Sequence, residues 1–379
     1  MKRQIALILI TVTVFAIFSP IAYWHCIYSG NFETPLFFGS SFGGKTADEA
    51  KHLIDKVKGY TNFFLITSWD LIGNETALTE VCDYAAESDL DFIVFLSWVS
   101  NPLYPWHLAW LDKAEARWGD NFLGIYLFDE PGGTQVDTGG EHEAIAAMFK
   151  NASDYGDAAD IFVNNISSIN STLELKRRNI SIFTSDYALY WFDYLAGYDT
   201  VFVELAWNQS RPQQIGLCRG AANAQGKEWG AIITWTYDQP PYLASGQEIF
   251  ADMLAAYEAG AKYVIIFNYP VYPEGNLYGL LHEDHFAAMQ QFWERIHRYP
   301  EDYGKLKGRA ALVLPKDYGW GMRRPDDSIW GLWPADDVSP VIWDKMNNLI
   351  ELFGLELDIV YDDPLFNLTG YPEIYYWES

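Results

Sequence analysis

The stretch FLGIYLFDEPGG, residues 122–133, decides how this chain is read. An apolar, strand-like run ends in two carboxylates, Asp129 and Glu130, and Pro131, Gly132 and Gly133 follow at once. Proline and paired glycines stop a strand and open a loop. Acid at the end of a buried strand, with a loop opening after it, is how a barrel presents reactive side chains at its mouth. Alternation puts Glu130 on the face of Gly124, Tyr126 and Phe128, and leaves Ile125 and Leu127 to a covering helix. Glu130 is therefore expected to point into a barrel. The competing role is a helix cap or an arginine partner.

Working outward, eight apolar runs recur at 36–42, 62–69, 91–99, 122–128, 180–184, 200–207, 230–237 and 263–269. Amphipathic stretches of helical period separate them, at 46–58, 75–88, 141–155, 212–226 and 245–260, with a last one at 285–299. Strand and helix in alternation demand right-handed parallel crossovers. Eight such units close into a (β/α)8 TIM barrel of about 250 residues, and 31–304 is assigned to it. An open doubly wound sheet would carry a glycine-rich phosphate turn after its first strand, but SSFGG at 40–44 lacks the G-x-G-x-x-G spacing. Residues 305–379 predict a small partial α/β unit: strand 309–314, helix 339–353, strand 357–361 and strand 372–377. A parallel sheet is covered on both faces. This half-domain is thus expected to lean on the barrel, on a second subunit in a homo-oligomer, or on residues beyond this chain. No internal repeat or low-complexity linker interrupts the pattern.

In a barrel, function sits at the C-terminal strand ends. Those ends offer Ser68, Trp69 and Asp70; Ser97 and Trp98; Asp129 and Glu130; Asp186 and Tyr187; Trp207 and Asn208; Trp235, Tyr237 and Asp238; and Asn268 and Tyr269. Glu204 is the second sharp feature. In VFVELAW, residues 201–207, Phe202, Glu204 and Ala206 share the inward face. An unpaired charge there is costly or loses its ionisation. No Lys or Arg stands at an inward strand position to pair with it, which tilts Glu204 toward chemistry. Strands four and six lie roughly 10 Å apart. Inward side chains bring two carboxyls within the range of about 5 to 9.5 Å that glycoside hydrolysis uses. Asp238 is a second candidate for the partner role, or a cap or Asx-turn before Pro240 and Pro241. Four indoles, Trp69, Trp98, Trp207 and Trp235, would make a stacking surface for sugar rings, with Tyr126, Tyr237, Asn268 and Tyr269 completing the expected substrate-binding set. His282 and His285 are expected to cap a helix and not to bind metal. No metal or organic cofactor is implied, and no G-x-S-x-G elbow marks a serine hydrolase.

Composition narrows the partners. Aromatic residues make up 17% of 379 residues, including 16 Trp and 25 Tyr, more than core packing alone needs. The net charge of −26 disfavours nucleic acid and anionic headgroups, whose phosphates call for Lys and Arg. Cys26, Cys82 and Cys218 are no disulfide framework. Lys2 and Arg3 precede an apolar run at 5–24, which is read within 1–30 as either a cleaved signal peptide or an uncleaved membrane anchor. Either choice exports the rest, to the cell surface or beyond, with the membrane touched through this segment only. N-x-[S/T] sequons begin at Asn74, Asn151, Asn165, Asn170, Asn179, Asn208 and Asn367 and suit an exported glycoprotein. The three between 165 and 179 suggest an exposed loop.

With these residues in place, the chain resembles the (β/α)8 glycoside hydrolases. Their best-known clan ends strand four in Asn-Glu-Pro, and Asp129-Glu130-Pro131 stands in that place. The resemblance implies that Glu130 is the acid/base. Asp in place of Asn removes the clan's usual bond to the sugar 2-hydroxyl. The clan's nucleophile is a Glu ending strand seven, where this chain has Thr234, Trp235, Thr236, Tyr237 and Asp238. Glu204 or Asp238 would then be nucleophile or base, with Asp129 tuning Glu130. The segment from Arg309 looks like the start of the flavodoxin-like domain of β-galactosidase-type enzymes. The expectation is an extracellular protein that cleaves an oligo- or polysaccharide. The alternatives are a barrel that binds glycan without cleaving it, and a structural component of the cell envelope.

Overall fold

The computed structural model describes residues 36–138, 152–270 and 275–378. The apolar N-terminal run, Cys26, the Asn151 sequon and most of the expected helix 141–155 lie outside them.

Eight parallel strands close into a barrel in sequence order. They are β1 (Phe37–Phe42), β2 (Phe63–Ile66), β3 (Asp91–Phe95), β4 (Phe122–Tyr126), β5 (Ile182–Asp186), β6 (Thr200–Leu205), β7 (Glu228–Ile233) and β8 (Tyr263–Ile266), with β8 pairing back onto β1. Helices fill the connections. Those before β4 are α1 (Ala47–Val57), α2 (Trp69–Ile72), α3 (Glu75–Glu87) and α4 (His107–Trp118). Between β4 and β6 lie α5 (Pro131–Thr138), α6 (Tyr155–Ser168), α7 (Asn170–Arg177) and α8 (Tyr190–Ala196). Then come α9 (Arg211–Gln225), α10 (Gly246–Glu258) and α11 (Glu283–Arg298). The fold is the expected (β/α)8 barrel.

The barrel is plugged at depth by aromatic rings. Phe37 stacks on Tyr263 at 4.8 Å between centroids, and Phe63, Phe183 and Phe202 close around Tyr263 at 5.8, 5.6 and 5.5 Å. Rings of that size exclude water from the middle of the barrel and give the mouth above them a solid floor.

The C-terminal segment is a three-stranded parallel sheet in the order β10-β9-β11. Its strands are β9 (Ala310–Leu314), β10 (Leu357–Tyr361) and β11 (Glu373–Tyr376), with α12 (Ser339–Phe353) between the first two. It leans on the barrel, and Leu36–Ser379 cluster as one compact unit. Gly216 and Gly220, one turn apart on α9, make this contact: a Cβ on either would sit 2.6 Å from a β10 carbonyl, that of Leu357 or Ile359. Between them Arg219 donates through Nε to Asp358 Oδ1 at 2.6 Å, and both side chains are buried. The segment after β9 also returns to α5: Gln135 Nε2 donates to the Trp330 carbonyl at 2.7 Å, and Ser328 Oγ to that of Val136 at 2.9 Å.

Several expectations need correction. Residues 165–179 are not a loop but the end of α6 and the whole of α7, with Phe162, Ile166, Ile169 and Leu175 buried along one side. Of the sequon residues here, Asn179 is exposed just past α7, but Ser171 and Thr172 are buried on the inner side of α7. The β2 and β3 strands stop three and four residues earlier than their apolar runs; after β2, Ser68 turns the chain into α2 by accepting from Leu71 N at 3.1 Å. The sequence reading also missed α4, α5 and α8. Cys82 and Cys218 are buried and free. Among the described residues no helix is long and apolar enough to cross a membrane.

Candidate active site

Strand pairing of β4 ends at Tyr126, and the chain then turns with Phe128 and Glu130 in the left-handed region, at φ 56° and 51°. Alternation therefore cannot carry to Glu130; two left-handed residues aim it at the mouth instead. Such backbone costs of order 1–3 kcal/mol per residue and persists only where surroundings over-determine it. Here the tip of β5 does so, residue by residue. Leu127 N donates to the Phe183 carbonyl at 2.8 Å, Thr184 Oγ1 to that of Phe128 at 2.7 Å, and Glu130 N to that of Ser185 at 3.1 Å. Gly132 N and Gly133 N then reach the two oxygens of Asp186 at 2.6 and 2.7 Å. Both glycines are needed. A Cβ at 132 would lie 2.6 Å from the Ala188 carbonyl, and one at 133 would lie 2.2 Å from the Tyr187 ring.

This turn brings Glu130 against Glu204. The two carboxyls line the same cavity and act on each other, with no cation in the lining, so they cannot both stay ionised at low cost. Ser185 Oγ donates to Glu204 Oε1 at 2.6 Å. The Tyr126 hydroxyl donates to Asp129 and accepts from Ser185 N at 3.1 Å. Ser185 Oγ also lies 3.4 Å from Asp129, but its single proton serves one acceptor at a time, and Glu204 is the nearer. Burial first, then the neighbouring charge of Asp129, pushes Glu130 up to about 7, with Asp186 and Asp137 adding to the rise. Burial, then the charges of Glu130 and Asp129, drives Glu204 well above the usual carboxylate range. Asp129 is raised by burial, opposed by its bonds from Tyr126 and Ser185. The glutamates form a dyad that holds a proton at neutral pH.

Above the dyad is a cavity of about 170 Å³, walled by Trp69, Phe95, Tyr126, Trp235, Phe267 and Tyr269, with no basic residue in its lining. Of the residues expected from sequence, Asp129, Glu130, Glu204, Trp69, Tyr126, Trp235 and Tyr269 meet there. The others do not. Trp98 is buried beside His107. Trp207 and Tyr237 are exposed but outside the lining. The buried Asn268 is occupied structurally: its Oδ1 accepts from Leu280 N at 2.9 Å. Asp238 is exposed and also outside the lining. Sequence reasoning missed Thr67, Phe95, Ser185 and Phe267. The expected fifth strand stopped at 184, one residue short of Ser185. Continuing each strand's inward parity from Phe63, Phe183 and Tyr263 would have found all but Phe95. His285 accepts from His282 N at 3.0 Å and caps α11. Among the described residues no three His, Cys, Asp or Glu side chains are placed to hold a metal ion.

A larger cavity, about 830 Å³, opens among Asp91, Asp112, Asp120 and Arg178. Its residues cluster where β3, β4 and β5 begin, the end of a barrel that serves stability. The dyad is at the other end.

No family model and no curated protein matches this sequence. Solved structures do resemble it. The GH99 endo-alpha-mannosidase from Bacteroides thetaiotaomicron is 11% identical over 68% of this chain and 81% of its own, with a TM-score of 0.44. The pneumococcal virulence factor StrH, described for N-glycan recognition and hydrolysis, is 10% identical over 70% and 85%, at 0.43. A truncated 3-deoxy-D-arabino-heptulosonate 7-phosphate synthase from Thermotoga maritima is 9% identical over 70% and 87%, at 0.39. Likenesses this distant say nothing of chemistry, and function has to be argued from the carboxyl dyad.

Proposed function

We propose that this protein is an exported glycoside hydrolase in which Glu130 is the acid/base and Glu204 the nucleophile. The observation that carries the reading is the Glu130–Glu204 dyad in an aromatic, cation-free cavity. Cleavage of a glycosidic bond needs one protonated and one ionised carboxyl on either side of the sugar carbon. A dyad sharing a proton supplies that pair. The charge of Asp129 raises both glutamates, so the dyad keeps at neutral pH the proton that Glu130 passes to the leaving oxygen. Ser185 orients Glu204 for attack.

The cavity also supports a substrate class. It is smaller than the 300–1,000 Å³ typical of ligand pockets, so one ring enters and the rest of the glycan leaves past Trp69 and Tyr269. With three acids and no Lys or Arg in the lining, uronate and sulfated sugars are repelled, and neutral or amino sugars fit. The leader, the sequons and the acidity support a place at the cell surface or outside it.

The test compares the protein with Glu130→Gln on a panel of neutral, amino and acidic oligosaccharides, scoring reducing-end release. The parent should cleave a neutral or amino substrate, and the variant should lose about 10²–10⁴-fold. One observation favours a second reading, a barrel that binds glycan without cleaving it: no Glu stands in 234–238. Binding without cleavage by either protein would establish that reading and retire the catalytic roles.

A further inference from the structure

Behind the catalytic dyad lies a second carboxyl pair that the proposed reaction does not use. Asp186, fully buried at the tip of β5, accepts four backbone N–H bonds. Gly133, Tyr187 and Ala188 reach Oδ1 at 2.7, 2.8 and 3.1 Å, and Gly132 reaches Oδ2 at 2.6 Å. Three donors fill one oxygen; the other keeps a lone pair. Asp193, on α8, is the acid whose carboxyl faces it. No donor reaches either oxygen of Asp193, and both are buried. Two facing buried carboxyls with no cation between them cannot both stay ionised at low cost, so one carries a proton. Asp186, facing four donors, gains most by being the anion, so the proton sits on Asp193.

We propose that Asp186, held as an anion by protonated Asp193, is the positioning residue for Glu130. The inference rests on the reading of Glu130 as acid/base, but its geometry does not. Asp186 ties down the first turn of α5, directly after the left-handed Glu130. Four charge-assisted bonds offset the strain of that backbone. Burial pushes Asp186 up to about 7, against the pull of its four amides, and Asp193 is raised well above the usual range by burial and by the Asp186 charge. The groups facing Asp193 are Asp186 from β5, Cys218 from α9, and Tyr190, Tyr194 and Tyr198 around α8, with no cation among them. Those facing Glu130 are Asp129, Glu204, Asp186, Asp137 and Tyr187. The neighbouring Arg323 is engaged by Asp137 and Asp327. When Asp193 loses its proton, two facing anions repel and the loop is released.

The experiment measures amide-exchange protection of Gly132 and Gly133 against pH in the full chain, with Asp193→Asn, Asp193→Leu and Asp186→Asn. It needs no substrate, so it stands or falls apart from the glycosidase reading. The carboxamide introduced by Asp193→Asn supplies an N–H in place of the acid proton. D193N should keep the parent's protection at neutral pH and extend it to alkaline pH, where the parent loses it. D193L should lose about tenfold, the equivalent of one charge-assisted hydrogen bond, with β1 and α11 unchanged. D186N should lose at least as much, and by removing a like charge should lower the pH at which the Glu130 carboxyl titrates by NMR. If D193N loosens the loop as much as D193L, or D186N leaves both glycines protected, the proposal is overturned. Should D186N fail to fold, the contrast between the two Asp193 variants decides.

Discussion

Asp358 and Glu204 are both acids buried in one compact unit, and they are handled in opposite ways. Asp358 has a guanidinium at 2.6 Å, a second donor in Asn223 at 3.1 Å and a third in Tyr371 at 2.7 Å. Glu204 has one hydroxyl and another carboxyl. The first arrangement satisfies a charge and joins two parts of the chain. The second keeps a proton in place of a paired charge, in a cavity open to a ligand. Burial of an acid says little by itself; what surrounds it separates a joint from a reactive group.

The comparison breaks most sharply at the joint. Arg219→Ala leaves Asp358 buried without its cation, and breaking a buried pair costs about 3–5 kcal/mol. The same variant frees the carbonyls of Leu306 and Leu355, which Arg219 also serves. Thermal unfolding should show a large drop in Tm, or loss of folded protein. An unchanged Tm would mean that the seam between α9 and β10 is held by packing of Gly216 and Gly220 alone.

The mouth should respond with the opposite sign. Glu130 and Asp186 are each raised to about 7, from 4.5 and 3.8. The folded state then binds protons more tightly than the unfolded chain between about pH 4 and 7. Stability from these groups is full below the unfolded values and is lost as pH rises through the folded ones. Acidification from pH 8 to 5 should stabilise the protein by a few kcal/mol, at about 1.4 kcal/mol per pKa unit. Carboxylates held low by cations, such as Asp83 beside Arg117, reverse the trend only in stronger acid. Glu204→Gln removes one coupled acid. It should raise Tm at pH 8 by the equivalent of about 1 kcal/mol and flatten the pH dependence. A Tm that falls on acidification would remove the case for a proton-sharing dyad.

The joint and the mouth were not equally legible in the sequence. Eight runs separated by helical stretches were enough for the barrel, because each strand buried on both faces reads as an unbroken apolar segment. Glu204 was legible for the same reason: a lone acid in VFVELAW has nowhere neutral to go. Glu130 was found by its motif, but the alternation argument for its direction does not hold, since two left-handed residues intervene. Left-handed backbone at Phe128 or Glu130 has no sequence signal; it is imposed by the tip of β5. Asp186 and Asp193 illustrate the same limit, for their pairing depends on how α8 folds back after β5. Arg219 could not be matched to Asp358, 139 residues away, from any local pattern.

Tryptophans give the finest test of the contrast. Trp69 and Trp98 look alike in sequence, each following a serine at the end of an apolar run. In the fold Trp69 is 59% exposed at the cavity, edge-on to Phe95 at 4.9 Å, while Trp98 is 3% exposed beside His107. Trp98→Ala should therefore lower Tm and leave glycan affinity per folded molecule unchanged. Trp69→Ala should do the reverse, weakening binding by about 0.5–1.5 kcal/mol, the worth of one aromatic stacking contact. Calorimetric titration of both variants with the best substrate of the panel, alongside their melting curves, makes the comparison. If Trp69→Ala binds as the parent does, the glycan does not leave the cavity over that ring. The exposed indole would then have to be explained by a route across Tyr269 alone.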